Sequence, residues 1–214
     1  MSKKPLPVKN IIFDLGGVLV DLDFDKSLAA FAMLGIPDPK TAMGRDEDKK
    51  IFREYETGKA GTADVFAHIR SLSTKAPTDD ELTAALNAMI AGFPAGRVAL
   101  LRALKPKFRL FLLSNINPVH HACVQALYRE KHGGNFDEHF EKPYYSHLIG
   151  RRKPDPAVYM HVITDAGLNA KETLFIDDMP ENLRSASLAG LQTAHVAPGA
   201  TVLDLGLEKL LTDH

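Results

Sequence analysis

The chain has 214 residues, of which 45% are hydrophobic and 25% charged, and its formal net charge is −1. That length holds one large domain, or a core with a modest insertion. The near-even charge gives no electrostatic case for nucleic acid or an anionic membrane as partner. No apolar stretch reaches the roughly 18 residues of a membrane span.

Other exclusions follow from particular residues. Met1–Asn10 carries two prolines and three lysines and lacks the apolar run of a signal peptide. Cys123 is the single cysteine, so an internal disulfide is excluded and a cytoplasmic setting is the expectation. Its neighbours Ala122, Ala126 and Leu127 read as the apolar stripe of a helix, which predicts a buried structural thiol.

In chain order, Val8–Asp14 reads first as a buried strand. Its apolar run ends in one carboxylate, Asp14, and the glycine-rich turn Gly16-Gly17 follows at once. Positions 24–94 then carry helical patterns over Asp25–Leu34, Asp48–Glu56, Ala63–Leu72 and Glu81–Ala91, with no convincing strand. Thr78 and Glu81 have the spacing of a capping box. Gly35–Pro39 and Lys75–Pro77 read as loops.

Strand signals return at Phe108–Ser114, weakly at Tyr144–Ser146, and again at Thr173–Asp177 and Gln192–Val196. Asn117-Pro118 opens a helix to about His132, and Asp155-Pro156 opens another to about Ala166. Near-continuous apolar strands alternating with helices predict an α/β fold, a doubly wound parallel sheet. Residues 1–23 and 95–214 would form this core, and 24–94 a small all-helical cap inserted after the first strand.

Open sheets of this kind bind ligands beyond the carboxyl ends of their strands. Asp14, Ser114, Asn115, Asp177 and Asp178 all fall at such ends, and Lys153 lies in the loop Arg152–Asp155. The set suits magnesium-dependent phosphoryl transfer. Asp14 would be the nucleophile, and Asp14 with the Asp177/Asp178 pair would offer carboxylates to Mg2+. Ser114 and Asn115 would donate hydrogen bonds to phosphoryl oxygens, and Lys153 would offset negative charge. Each element alone is weak, because strand-end aspartates, Lys-Pro loops and Ser-Asn caps are common. Their order and shared sheet edge carry the reading.

In that order the four segments resemble the motifs of the haloacid dehalogenase-like (HAD) hydrolase superfamily, across nearly the whole chain. The resemblance implies a Rossmann-like core and a cap that closes over substrate. It also implies an aspartyl-phosphate on Asp14, phosphate contacts from Ser114 and Asn115, and a salt-bridging Lys153. Metal binding is implied through Asp14, Asp178 and the backbone carbonyl of Gly16, with Asp177 close by. Asn182 fits an extension of the last motif seen in some members.

Gly16 departs from the pattern, since most phosphatases of the family carry there a second aspartate that serves as general acid and base. Asp21, Asp23, His120 and His121 are the substitutes to consider. A turn or helix-start role is the simpler expectation for the aspartates, and solvent exposure for the histidines. The Asp-Leu-Gly-Gly form is similar to a bacterial glucose-1-phosphatase-like subgroup.

The expectation is therefore a phosphatase acting on a small phosphorylated metabolite, with a sugar phosphate favoured. A 2-haloacid dehalogenase is a rival that needs no metal. A second rival is an impaired relative that binds a phosphorylated ligand or a protein. Arg45, Arg53, Tyr55 and His68 face either a cap pocket or solvent, and oligomeric state is not legible.

Overall fold

The computed structural model describes residues 7–42 and 44–211; the lysines at positions 3 and 4 lie outside them. Strand β1 (Asn10–Phe13) is followed by the short β2 (Asp21–Leu22). Five helices come next: α1 (Phe24–Met33), α2 (Pro39–Ala42), α3 (Asp46–Glu56), α4 (Thr62–Leu72) and α5 (Asp79–Asn87). Then β3 (Ile90–Gly92), α6 (Ala95–Leu104), β4 (Arg109–Ser114) and α7 (Pro118–His132) lead back into the sheet. The chain finishes with β5 (Lys142–Tyr145), α8 (Ser146–Ile149), α9 (Pro156–Asp165), β6 (Thr173–Asp177), α10 (Pro180–Leu188) and β7 (Gln192–His195).

The main sheet has the order β5-β4-β1-β6-β7, and all its pairings are parallel. Alternation along the strands sends Ile11, Phe13, Leu110, Leu112 and Ile176 to one buried cluster, and Ile12, Phe111, Leu113 and Phe175 to another. Both faces are therefore covered, which is why the strands read as continuous apolar runs. Register sets the rim. Phe13 pairs with Leu112 and with Ile176, so the next residues, Asp14 and Asp177, leave the sheet side by side.

Helices α1 and α3–α5 bury a third cluster of their own, including Phe31, Tyr55, Phe66, Ile69 and Leu82. Thr78 caps α5, accepting from the Glu81 N–H, and the Glu81 carboxylate accepts in return from the Thr78 N–H at 2.7 Å.

The helix expected over Glu81–Ala91 stops at Asn87. Ile90–Gly92 instead pairs antiparallel with Asp21–Leu22, and the Asp23 N–H donates to the Met89 carbonyl at 2.8 Å. This two-stranded ribbon joins both crossings between sheet and helical segment, and tertiary pairing overrides local helix preference there. Helix α6 carried no expectation of its own.

Cys123 is half-buried, because the face of α7 that packs inward is that of Val124 and Tyr128. The histidine pair is not solvent-exposed either. The His120 Nε2–H donates to the Leu86 carbonyl (3.0 Å), and the His121 ring lies 4.0 Å from that of Tyr145.

Candidate active site

Asp14, Asp177 and Asp178 converge at the carboxyl rim of the sheet, with one oxygen from each lying within 4.8 Å of the others. Lys153 reaches them from the loop before α9 and is 1% exposed. Its Nζ lies 2.7 Å from Asp14 Oδ1 and 2.7 Å from Asp177 Oδ2. Asp14 Oδ1 also accepts from the Leu15 N–H at 2.7 Å. Asp177 accepts from the Met179 N–H (2.8 Å) and from Asn182 Nδ2 (2.9 and 3.1 Å), so both its oxygens are engaged.

Electrostatics show what the cluster lacks. Three carboxylates face one ammonium in a largely dry site. The Asp14 carboxyl is raised to about 7: burial lifts it most, Lys153 pulls it down, and the Asp177 charge pushes it up. Asp178 is raised as well, by burial and by Asp177. Lys153 moves upward, because its two carboxylate partners outweigh the burial that opposes its charge. A divalent cation balances the excess charge, and an all-oxygen donor set suits magnesium better than softer metals. The residues present fit such an ion.

The glycines shape this corner. Gly17 has φ +74°, and a Cβ there would stand 2.6 Å from Asp178 Oδ2, so both conformation and space require glycine. A Cβ on Gly16 would meet Leu22 Cδ1 at 2.7 Å. Leu22 thus covers the place from which a side chain at position 16 would project.

Ser114 and Asn115 follow β4 on the same rim. The Asn115 side-chain amide is committed to the backbone of Lys153, donating to its carbonyl (2.9 Å) and accepting from its N–H (2.8 Å). It therefore fixes the lysine loop. Ser114 is buried and lines a cavity of about 530 Å³ between the sheet rim and the helical segment.

The same cavity reaches Leu15, Gly16, Asn115 and Asn117 on the core side and Phe24, Phe31, Phe52, Glu56 and Leu86 on the other. Its walls are mainly apolar. Ser27, also on its wall, is turned to the Ala85 carbonyl at 2.6 Å.

Other sequence candidates lie elsewhere. Asp23 caps α1 through the Lys26 N–H (3.3 Å), and Asp21 pairs with buried Arg97 at 2.6 Å. Asp48 receives Arg45 (2.9 Å) and His68 (2.6 Å), and the Tyr55 hydroxyl bonds Thr62. Arg53 is exposed. None of these lines the cavity.

Glu56 was missed by sequence reasoning. Its only signal is an acidic side chain at the end of a helix facing the sheet, and that signal appears once α3 is placed.

A family model for haloacid dehalogenase-like hydrolase matches residues 8–190. The fold and the site thus define a hydrolase of that family, and the chain belongs to it. It is 31% identical over 90% of its length to a D-ribitol-5-phosphate phosphatase of Bacteroides thetaiotaomicron, covering 94% of that protein. A sesquiterpene phosphatase of Aspergillus oryzae is 27% identical, with 92% of this chain and 94% of that protein covered. A HAD family enzyme of B. thetaiotaomicron, crystallised with magnesium and inorganic phosphate, superposes with a TM-score of 0.86 at 31% identity. That alignment covers 92% of this chain and 98% of the other. An L-2-haloacid dehalogenase shares the fold at TM-score 0.63 and 17% identity over 96% of this chain and 100% of that one.

Proposed function

We propose that this chain is a magnesium-dependent phosphatase that hydrolyses a small phosphomonoester through an aspartyl-phosphate on Asp14. The observation that carries the proposal is Lys153 bridging Asp14 and Asp177 at 2.7 Å each, with Asp178 adjoining. Asp14, Asp178 and the Gly16 carbonyl would hold the ion, with Asp177 close by. Bound there, magnesium supplies charge stabilisation to the transferring phosphoryl group.

The remaining work falls to the chain's own residues. The ammonium of Lys153 keeps Asp14 oriented and offsets charge as its free oxygen attacks phosphorus in line. Ser114 would donate a hydrogen bond to a phosphoryl oxygen. Asn115 would act there through its main chain and through the loop it pins.

A sugar or polyol phosphate is the first substrate reading, supported by the ribitol-5-phosphate phosphatase relative. The mainly apolar cavity favours a second, the phosphomonoester of an apolar alcohol, with the sesquiterpene phosphatase as its support.

Phosphate release from polyol, sugar, alkyl and aryl phosphates, with magnesium and with chelator, tests the proposal. Magnesium-dependent release lost in Asp14→Asn is the expected result. Metal-independent turnover of 2-haloacids would support the dehalogenase reading. Tight ligand binding without turnover, in folded protein, would support the impaired relative.

A further inference from the structure

The site as described lacks a group to protonate the leaving alcohol. Gly16 has no side chain, and Leu22 Cδ1 covers the direction one would take. Whatever carries the proton must therefore reach the phosphoryl group from the cavity above the rim. Among the described residues, two titratable side chains line that cavity, His120 and Glu56.

His120 is fully engaged. The Leu86 carbonyl at 3.0 Å must accept a proton from Nε2, and this makes Nδ1 the bare nitrogen. Nδ1 then accepts from Asn117 Nδ2 at 3.1 Å. Burial pushes the ring's pKa down, which keeps it neutral. It has no proton to give into the cavity.

Glu56 is placed differently. It ends α3, is 28% exposed on its side chain, and is held through Oε2 alone by Arg152 Nε at 3.0 Å. Arg152 immediately precedes Lys153, so the contact ties the carboxyl to the loop that carries the site's lysine. Among the described residues no hydrogen bond engages Oε1. The glutamate is thus positioned by one oxygen and unencumbered at the other, in a cavity whose floor is Leu15-Gly16 and Ser114-Asn115.

We infer that Glu56 is the general acid and base of this site, taking the role left vacant at Gly16. The inference rests on the phosphatase reading above. In the first half-reaction, an Asp14 oxygen forms a bond to phosphorus as the bond from phosphorus to the alcohol oxygen breaks. That oxygen takes the proton from Glu56 Oε1, and an alcohol departs. In the second, the Glu56 carboxylate takes a proton from water, whose oxygen attacks phosphorus. The bond from phosphorus to Asp14 breaks, and inorganic phosphate leaves with both side chains restored.

Burial raises the Glu56 carboxyl above its ordinary range, while Arg152, Lys153 and Arg53 pull it back. Those are the charges that act on its protonation, and the net direction is upward, towards the acid form.

The test is the dependence of kcat/KM on leaving-group acidity across p-nitrophenyl, phenyl and alkyl phosphates, in wild type and Glu56→Gln. Glutamine retains an oxygen for the Arg152 hydrogen bond but can neither give nor take the proton. Alkyl phosphates should lose about 10²–10⁴-fold, p-nitrophenyl phosphate less than about tenfold, and the high-pH fall of the wild-type profile should disappear. Equal losses on all esters, or none, would overturn the assignment and make Glu56–Arg152 a contact between α3 and the lysine loop and nothing more. Arg152→Gln loosens that contact, so it should also cost alkyl phosphates more than p-nitrophenyl phosphate, though less than Glu56→Gln does. Asp14→Asn abolishes release from every ester if the phosphatase reading holds, so failure of that reading is seen separately.

Discussion

Gly17 and Asp178 are in such close apposition that a methyl group on the glycine would sit 2.6 Å from the carboxylate Oδ2. The backbone there is left-handed, with φ +74°. Two independent constraints therefore act on one position, and the Asp178 carboxylate is aimed by the absence of a side chain.

Gly17→Ala should accordingly displace Asp178 and leave the sheet intact. We expect a fall of about 10–100-fold in magnesium affinity and a stability cost of about 1–2 kcal/mol from the left-handed backbone. Magnesium titration of activity, alongside thermal unfolding, checks both. Unchanged magnesium affinity would remove Asp178 from the metal site.

Lys153 is the positive partner of two buried carboxylates. Lys153→Met leaves Asp14 and Asp177 facing each other unpaired, and removing one member of a buried ion pair costs about 3–5 kcal/mol. Denaturant unfolding should show that loss, together with loss of phosphate release. A variant as stable as wild type would mean that the carboxylates are compensated by something other than this ammonium.

Asn182 acts at one remove. Its amide holds both Asp177 oxygens, at 2.9 and 3.1 Å, without itself reaching the cavity. Asn182→Ala should lower metal affinity or activity by about 10–100-fold, as loss of a supporting hydrogen bond to a metal-site residue typically does. The melting temperature should move far less than in Lys153→Met. Full activity in this variant would show that Asp177 is held adequately by Lys153 and the Met179 N–H.

Asp48 gives the helical segment a pH-dependent stability. Burial opposes its charge, but hydrogen bonds from Arg45 and His68 outweigh that and hold its carboxyl below the ordinary range. A depressed carboxyl stabilises the fold above its unfolded value, near 3.9, and the gain is lost as pH falls through the folded value. Asp48→Asn should therefore cost about 1–3 kcal/mol at pH 7. The gap to wild type should narrow below about pH 4. A gap that widens on acidification would reverse the assigned sign.

The strand ends were legible because each carries its own signal. Apolar runs stop at Asp14, Ser114 and Asp177, and parallel register brings such ends to one rim. The caps at Asn117, Asp155 and Thr78 were legible for the same local reason.

What escaped depends on distant partners. Ile90–Gly92 becomes a strand only because Asp21–Leu22 is beside it. The buried face of α7 is chosen by the aromatic cluster of Phe93, Phe136 and Tyr128, and not by the small residues around Cys123. His120 looked like a surface residue until α5 delivered the Leu86 carbonyl to it. Glu56 and Arg152, 96 positions apart, meet only in three dimensions.

The most direct test of the central claim is mass spectrometry of protein quenched in acid during turnover of a substrate with magnesium. The account predicts a phosphoryl adduct on the peptide containing Asp14, absent with chelator and absent in Asp14→Asn. Turnover with no adduct on that peptide, or turnover undiminished in Asp14→Asn, would contradict it.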